Sequence, residues 1–132
     1  MWLNQKTVDA IRIMAELAMR WPKQVKALEL PEHTDITFMN IQKTVHGLSL
    51  ANLIETQRGR HGGMRLARDP ASISIGEIVR AFEPTDCPVQ FLAGDATDRC
   101  IAAVLFRAHR DFFQQLEATK LSELPNCTPR SG

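Results

Sequence analysis

The sequence predicts a mainly α fold with a small β-hairpin wing: a winged helix-turn-helix followed by a long C-terminal dimerisation helix. Three observations carry that expectation. Apolar residues recur at helical spacing within 5–20, 37–52 and 99–119. Two short apolar segments flank the glycine-rich run Gln57-Arg58-Gly59-Arg60-His61-Gly62, as the strands of a hairpin would. No acidic residue occurs from Ile36 to Ile54, the stretch that holds the third helix.

The first helix is expected over 5–20, with Val8, Ile11, Met14, Ala15 and Ala18 as its apolar face. Trp21-Pro22 ends it, because a residue before proline avoids the α region. A short second helix is expected over 23–33, with Val25, Leu28 and Leu30 inward and Pro31 shortening it. Asp35-Ile36-Thr37 reads as a turn and N-cap for the third helix, 37–52. Its inward face would be Phe38, Ile41, Val45 and Leu48, leaving Met39, Asn40, Gln42, Lys43 and His46 outward.

Leu53-Ile54-Glu55-Thr56 and Gly63-Met64-Arg65-Leu66-Ala67 read as paired strands with a basic, glycine-rich tip. Ser74-Ile75-Gly76-Glu77 is a capping box opening a fourth helix that runs to Phe82, where Glu83-Pro84 stops it. A polar connection holding Pro84, Pro88 and Gly94 leads to the long helix, 99–119. Ile101, Val104, Leu105, Ala108, Phe112 and Leu116 form one stripe along it. At 1.5 Å per residue this helix would be about 30 Å long, more than the small N-terminal domain can cover, so a second copy of the chain is the natural cover. The expected organisation is a DNA-binding domain at 1–82, a cysteine-bearing sensor loop at 83–99, and the long helix with a terminal turn at 99–124. A loose tail follows at 125–132.

Composition narrows the function. The 132 residues are 44% hydrophobic, enough for a real core. No stretch approaches 18 consecutive apolar residues, and the N-terminus lacks the apolar segment of a signal peptide, so a cytoplasmic protein without a helical membrane span is expected. The net charge of +1 hides an asymmetry. Residues 1–68 carry ten Lys/Arg against six Asp/Glu, whereas 69–132 carry six against nine. The first half is therefore the one suited to a polyanion.

A helix that reads the major groove needs donors and acceptors for base edges and no carboxylate facing phosphate. Thr37 at the cap, with Met39, Gln42, Lys43 and His46, meets that need. Arg58, Arg60 and Arg65 on the following hairpin suit phosphates or a minor groove. Enzyme chemistry finds no support: the glycine run lacks the Gly-Lys-Ser/Thr of a phosphate loop, and the four histidines have no ligand spacing. Cys87 and Cys100 bracket the polar loop with twelve residues between them, while Cys127 lies in the tail. No pair has the close spacing of a zinc site, so burial, a redox disulfide and iron–sulphur ligation all stay open.

The run from Leu53 through Pro70, followed by Ile73-Ser74-Ile75-Gly76-Glu77-Ile78-Val79-Arg80-Ala81, resembles the wing and following helix of the IscR/NsrR/RirA (BadM-type) family of winged-helix transcription regulators. The likeness extends over nearly the whole chain. It implies a homodimer with crossed long helices on double-stranded DNA of roughly palindromic sequence. It places recognition contacts on Thr37, Met39, Gln42 and Lys43 and wing contacts on Arg58, Arg60 and His61. Many members hold an iron–sulphur cluster through three loop cysteines. Cys87 and Cys100 match the outer two, but the middle position falls near Ala93 or Gly94, which carry no donor. The expected cofactor is a [2Fe–2S] cluster on Cys87 and Cys100 with help from Asp9, Glu16 or His109, sensing iron, nitric oxide or redox state. The alternative is a cofactor-free member controlled by a thiol switch or a partner protein.

Overall fold

The computed structural model describes residues 3–84 and 94–126. Helix α1 (Gln5–Arg20) begins at Asn4, whose side-chain oxygen accepts from the Thr7 amide at 2.9 Å. It ends where expected, with Trp21 extended at ψ 135°. Its inward face is a correction. Thr7, Ala10, Ile13, Met14 and Leu17 are buried, whereas Ile11, Ala15 and Ala18 are half-buried and Val8 is exposed. The helix carries two adjacent apolar stripes, and the one holding Ile13 and Leu17 faces the rest of the core.

Residues 23–33 do not form one helix. Val25 is extended and pairs with Met64 through two backbone hydrogen bonds of 2.8 Å. A 3₁₀ turn follows at Ala27–Glu29, and then α2 (Leu30–Thr34) with Pro31 in its first turn. Proline begins this helix rather than shortening it, because a first-turn residue needs no amide donor. Leu28, expected inward, lies 74% exposed.

Helix α3 (Phe38–Leu50) is capped by Thr37, whose hydroxyl accepts from the Asn40 amide at 3.3 Å. Ile41, Thr44 and Leu48 are buried and Val45 is half-buried, but Phe38 in the first turn is 37% exposed rather than inward. Strands β1 (Ile54–Gln57) and β2 (Gly63–Leu66) pair antiparallel, with Ile54 opposite Leu66 and Gln57 opposite Gly63. Helix α4 (Ile75–Phe82) opens on the expected capping box. The Glu77 amide donates to Ser74 Oγ at 3.1 Å, and the Ser74 amide donates to Glu77 Oε2 at 2.9 Å. Burial acts to raise the Glu77 pKa, but the Ser74 amide and the Arg68 guanidinium at 2.7 Å outweigh it and hold the carboxyl below 4.5.

Helix α5 (Ala96–Ala118) starts three residues earlier than expected, at an Asp95 cap that accepts from the Asp98 amide at 2.7 Å. Only its C-terminal half is covered. Phe113 is buried, with Phe112 edge-on at 5.4 Å and the Arg80 guanidinium 4.2 Å over its ring. Gly76 lets α4 and α5 approach: a Cβ there would lie 3.0 Å from the Glu117 backbone nitrogen. Ile101, Val104, Leu105 and Phe106, nearer the N-terminal end, are exposed. Beyond α5 a 3₁₀ turn (Leu121–Asn126) folds back. The Leu121 amide donates to Ile73 O and the Ile75 amide to Thr119 O, each at 2.9 Å, and Leu121 is fully buried.

A candidate nucleic-acid interface

Helix α3 presents the outward residues as expected. Met39, Gln42, Lys43 and His46 are exposed and follow the i, i+3, i+4, i+7 spacing of one helix face. Met39 is 65% exposed. Asn40 joins this surface and was legible in the same acid-free run. Lys43 and Asn40 line an open groove of about 220 Å³ together with Gln5, Lys6, Asp9 and Thr44. Nothing in the periodicity of the first helix marked Lys6 or Gln5 as neighbours of α3.

The wing tip turns sharply. Gly59 sits at φ 107°, a value few side-chain-bearing residues adopt, and the Gly62 amide closes the turn on Gly59 O at 3.0 Å. A Cβ on Gly62 would lie 2.1 Å from the Gln57 carbonyl oxygen, so the turn accepts only glycine there. Arg58, Arg60 and His61 project from this tip, exposed, and their side chains make no ion pair or hydrogen bond among the described residues. Arg65 differs: it pairs with Glu55 across the hairpin at 3.3 Å. The arrangement leaves two guanidinium groups at the tip without an internal counter-charge.

Two further side chains brace the wing and escaped sequence reasoning, because 23–33 reads locally as a helix. Gln24 Nε2 donates to Gln57 Oε1 at 2.8 Å, and Lys26 Nζ donates to Arg60 O at 3.4 Å.

Among the described residues, the donors expected to take part in sensing are not brought together. Cys87 and Cys127 lie outside the described residues. Cys100 is exposed near the start of α5. Asp9 is buried and accepts from Gln5 Nε2 at 2.9 Å, while Glu16 pairs with Arg20 at 3.4 Å. His109 lies against Phe113, with ring centroids 4.9 Å apart. Nine residues along one helix separate it from Cys100 by about 13 Å, beyond the reach of one small cluster. Among the described residues no group of three or more His, Cys, Asp or Glu could hold a metal ion. None of their helices is long and apolar enough to cross a membrane.

Comparison with known proteins agrees with this geometry. The family described as "Rrf2: Iron-dependent Transcriptional regulator" matches residues 3–126. The chain is 33% identical over 95 residues to the HTH-type transcriptional regulator BadM of Rhodopseudomonas palustris, covering 72% of this chain and 61% of that one. It is 33% identical over 84 residues to the HTH-type transcriptional regulator NsrR of Shouchella clausii, covering 63% and 56% respectively. The matched stretches thus span less than two thirds of these relatives. In fold, the chain is similar to CymR, the global cysteine regulator of B. subtilis, with TM-score 0.84 at 24% identity over 98% of this chain and 99% of that one. The family consists of regulators and not of enzymes, and the winged-helix architecture is the one its members share. With its N-terminal helices, its hairpin and its long C-terminal helix all inside the matched range, the chain belongs to the Rrf2 family of iron-dependent transcriptional regulators.

Proposed function

We propose that this regulator binds double-stranded DNA in a sequence-specific manner as a homodimer. In this reading α3 lies in the major groove and the wing tip lies on the adjacent backbone or minor groove. The carrying observation is the conjunction of an acid-free exposed face on α3 with the two unpaired arginines of the wing. Gln42 suits an adenine edge, Lys43 a guanine edge or a phosphate, and Met39 a thymine methyl; Thr37 and His46 flank them. Arg58, Arg60 and His61 supply contacts that position the protein without reading sequence.

The exposed stripe Ile101, Val104 and Leu105 supports a second copy as its cover. Two copies joined through α5 would present two recognition helices to half-sites about one helical turn apart. The test is fluorescence anisotropy on duplexes that the wild-type protein selects from a random-sequence library. Affinity should fall steeply with salt, and Arg58→Ala should weaken binding at least tenfold while leaving the circular dichroism spectrum unchanged. A flat salt response, or selection without any sequence preference, would overturn the reading.

The finer reading is that the signal enters through Cys87 and Cys100, the latter near the start of α5. The expected helper donors do not support a [2Fe–2S] cluster held within one subunit: Asp9 and Glu16 have partners on their own helix, and His109 is out of reach of Cys100. A thiol switch at these cysteines is the simpler use of the exposed Cys100 sulphur. Anaerobic purification decides between them. A colourless preparation that still binds its duplex supports the thiol reading, whereas visible absorbance that disappears in Cys100→Ser establishes the cluster.

A further inference from the structure

We infer that residues 23–28 form a third DNA-contacting element between the recognition helix and the wing, with Lys23 and Lys26 on backbone phosphates. The inference rests on the DNA-binding reading above and deepens it. It starts from the pairing of Val25 with Met64, which adds an extended edge to the hairpin. With Val25 buried, alternation along an extended segment turns Gln24 and Lys26 to the outer face. Gly63 permits this: a Cβ there would lie 3.2 Å from Gln24 Cβ, and without one the Gln24 side chain crosses β2 to reach Gln57 at 2.8 Å.

Location gives the segment its role. The 3₁₀ turn that follows it, Ala27–Glu29, packs against α3, while Val25 and Lys26 hold the wing. A duplex spanning α3 and the wing therefore passes over residues 23–28. Lys23 and Lys26 are exposed there, and neither has a carboxylate partner among the described residues. The nearby Glu29 is engaged elsewhere, with Arg20 at 3.8 Å and with the Lys26 backbone amide at 2.8 Å. An open groove of about 330 Å³ runs beside them, lined by Lys26, Leu28, Gln57 and the wing glycines, so backbone can approach closely. Lys26 is held on the wing by its bond to Arg60 O, and with Lys23 it adds positive charge that has no carboxylate partner among the described residues.

The experiment compares the full-length wild type, Lys23→Gln/Lys26→Gln and Arg58→Ala on a selected duplex and on a random-sequence duplex of equal length, at 50 and 200 mM salt. Each phosphate contact contributes about 0.9 to the slope of log affinity against log salt, so the four contacts of a homodimer, two from each subunit, account for about a 150-fold share of the affinity lost over that fourfold range. The double variant should bind more weakly at low salt and lose about 150-fold less on going to high salt. Its preference for the selected duplex should stay within twofold of wild type, because phosphate contacts carry no sequence information. A charge-retaining Lys26→Arg should keep the wild-type slope. If the double variant keeps the wild-type slope while Arg58→Ala lowers it, the inference fails and the DNA-binding reading stands. If the wild type itself shows no salt dependence, the reading beneath it fails as well.

Discussion

Gly62→Ala probes the wing more sharply than removal of any of its charges. The added methyl would sit 2.1 Å from the Gln57 carbonyl oxygen and 2.8 Å from the Arg58 carbonyl carbon, both backbone atoms. An ordinary carbon–oxygen contact is about 3.3 Å or longer, so the backbone must open by about 1 Å. Opening the tip breaks the Gly62–Gly59 hydrogen bond of 3.0 Å and loosens the terminal pair of Gln57 and Gly63. At about 1 kcal/mol net for each bond, the expected loss is about 2 kcal/mol. The damage should stop at Met64, which two 2.8 Å bonds tie to Val25. Urea unfolding followed by circular dichroism should therefore show a stability loss of about 2 kcal/mol with an unchanged native spectrum. DNA affinity should fall at least as far as in Arg58→Ala, because the substitution displaces both Arg58 and Arg60. Gly62→Ala with stability and affinity both at wild-type values would refute the steric argument and the turn geometry behind it.

Three other outcomes follow from features elsewhere in the chain. Ser74→Ala removes the hydroxyl that caps α4 and should cost about 1 kcal/mol in the same unfolding assay. Glu77 is held below its ordinary pKa, so its stabilising effect is present above pH 4.5 and is lost as the pH falls through the lower folded value. Glu77→Gln should accordingly destabilise at pH 7 and approach wild type as the pH falls through the lowered folded pKa in pH-dependent thermal melts; a constant gap between neutral and acid pH would contradict the assignment. Leu105→Glu places a charge on the uncovered stripe of α5 and should yield a monomer in sedimentation equilibrium at concentrations where the wild type is dimeric, with an unchanged spectrum.

Legibility of the fold in the sequence tracked the range of the interaction that decides each feature. The Thr37 cap, the Ser74–Glu77 capping box and the glycine turn of the wing are settled within a few residues, and each lies where local chemistry put it. Residues 23–33 were misread because their conformation depends on Met64, far along the chain, which draws Val25 into an extended pairing no local pattern signals. The orientation of α1 went astray for a related reason. Its two apolar stripes differ little in sequence, and the choice between them belongs to α3, α4 and β2, which all pack on one side. The exposed polar face of α3 was legible because exposure and charge agree there: a run without acids on a helix whose opposite side is plainly apolar. The sensing site was not. Spacing relates Cys87 to Cys100, but the remaining candidate donors sit on helices whose side chains find other partners once folded.

The return of the chain after α5 bears on how this architecture can be recombined. Phe113 and Leu121 are buried in the same core as Ile13, Leu48 and Ile78, and the Ile73 carbonyl finds its donor in the Leu121 amide. A fragment ending near residue 82 would expose that core and leave the Ile73 carbonyl unpaired. Residues 1–82 are thus not an interchangeable cassette that could be joined to a foreign domain at residue 83. A working chimaera has to inherit the C-terminal turn together with the N-terminal helices.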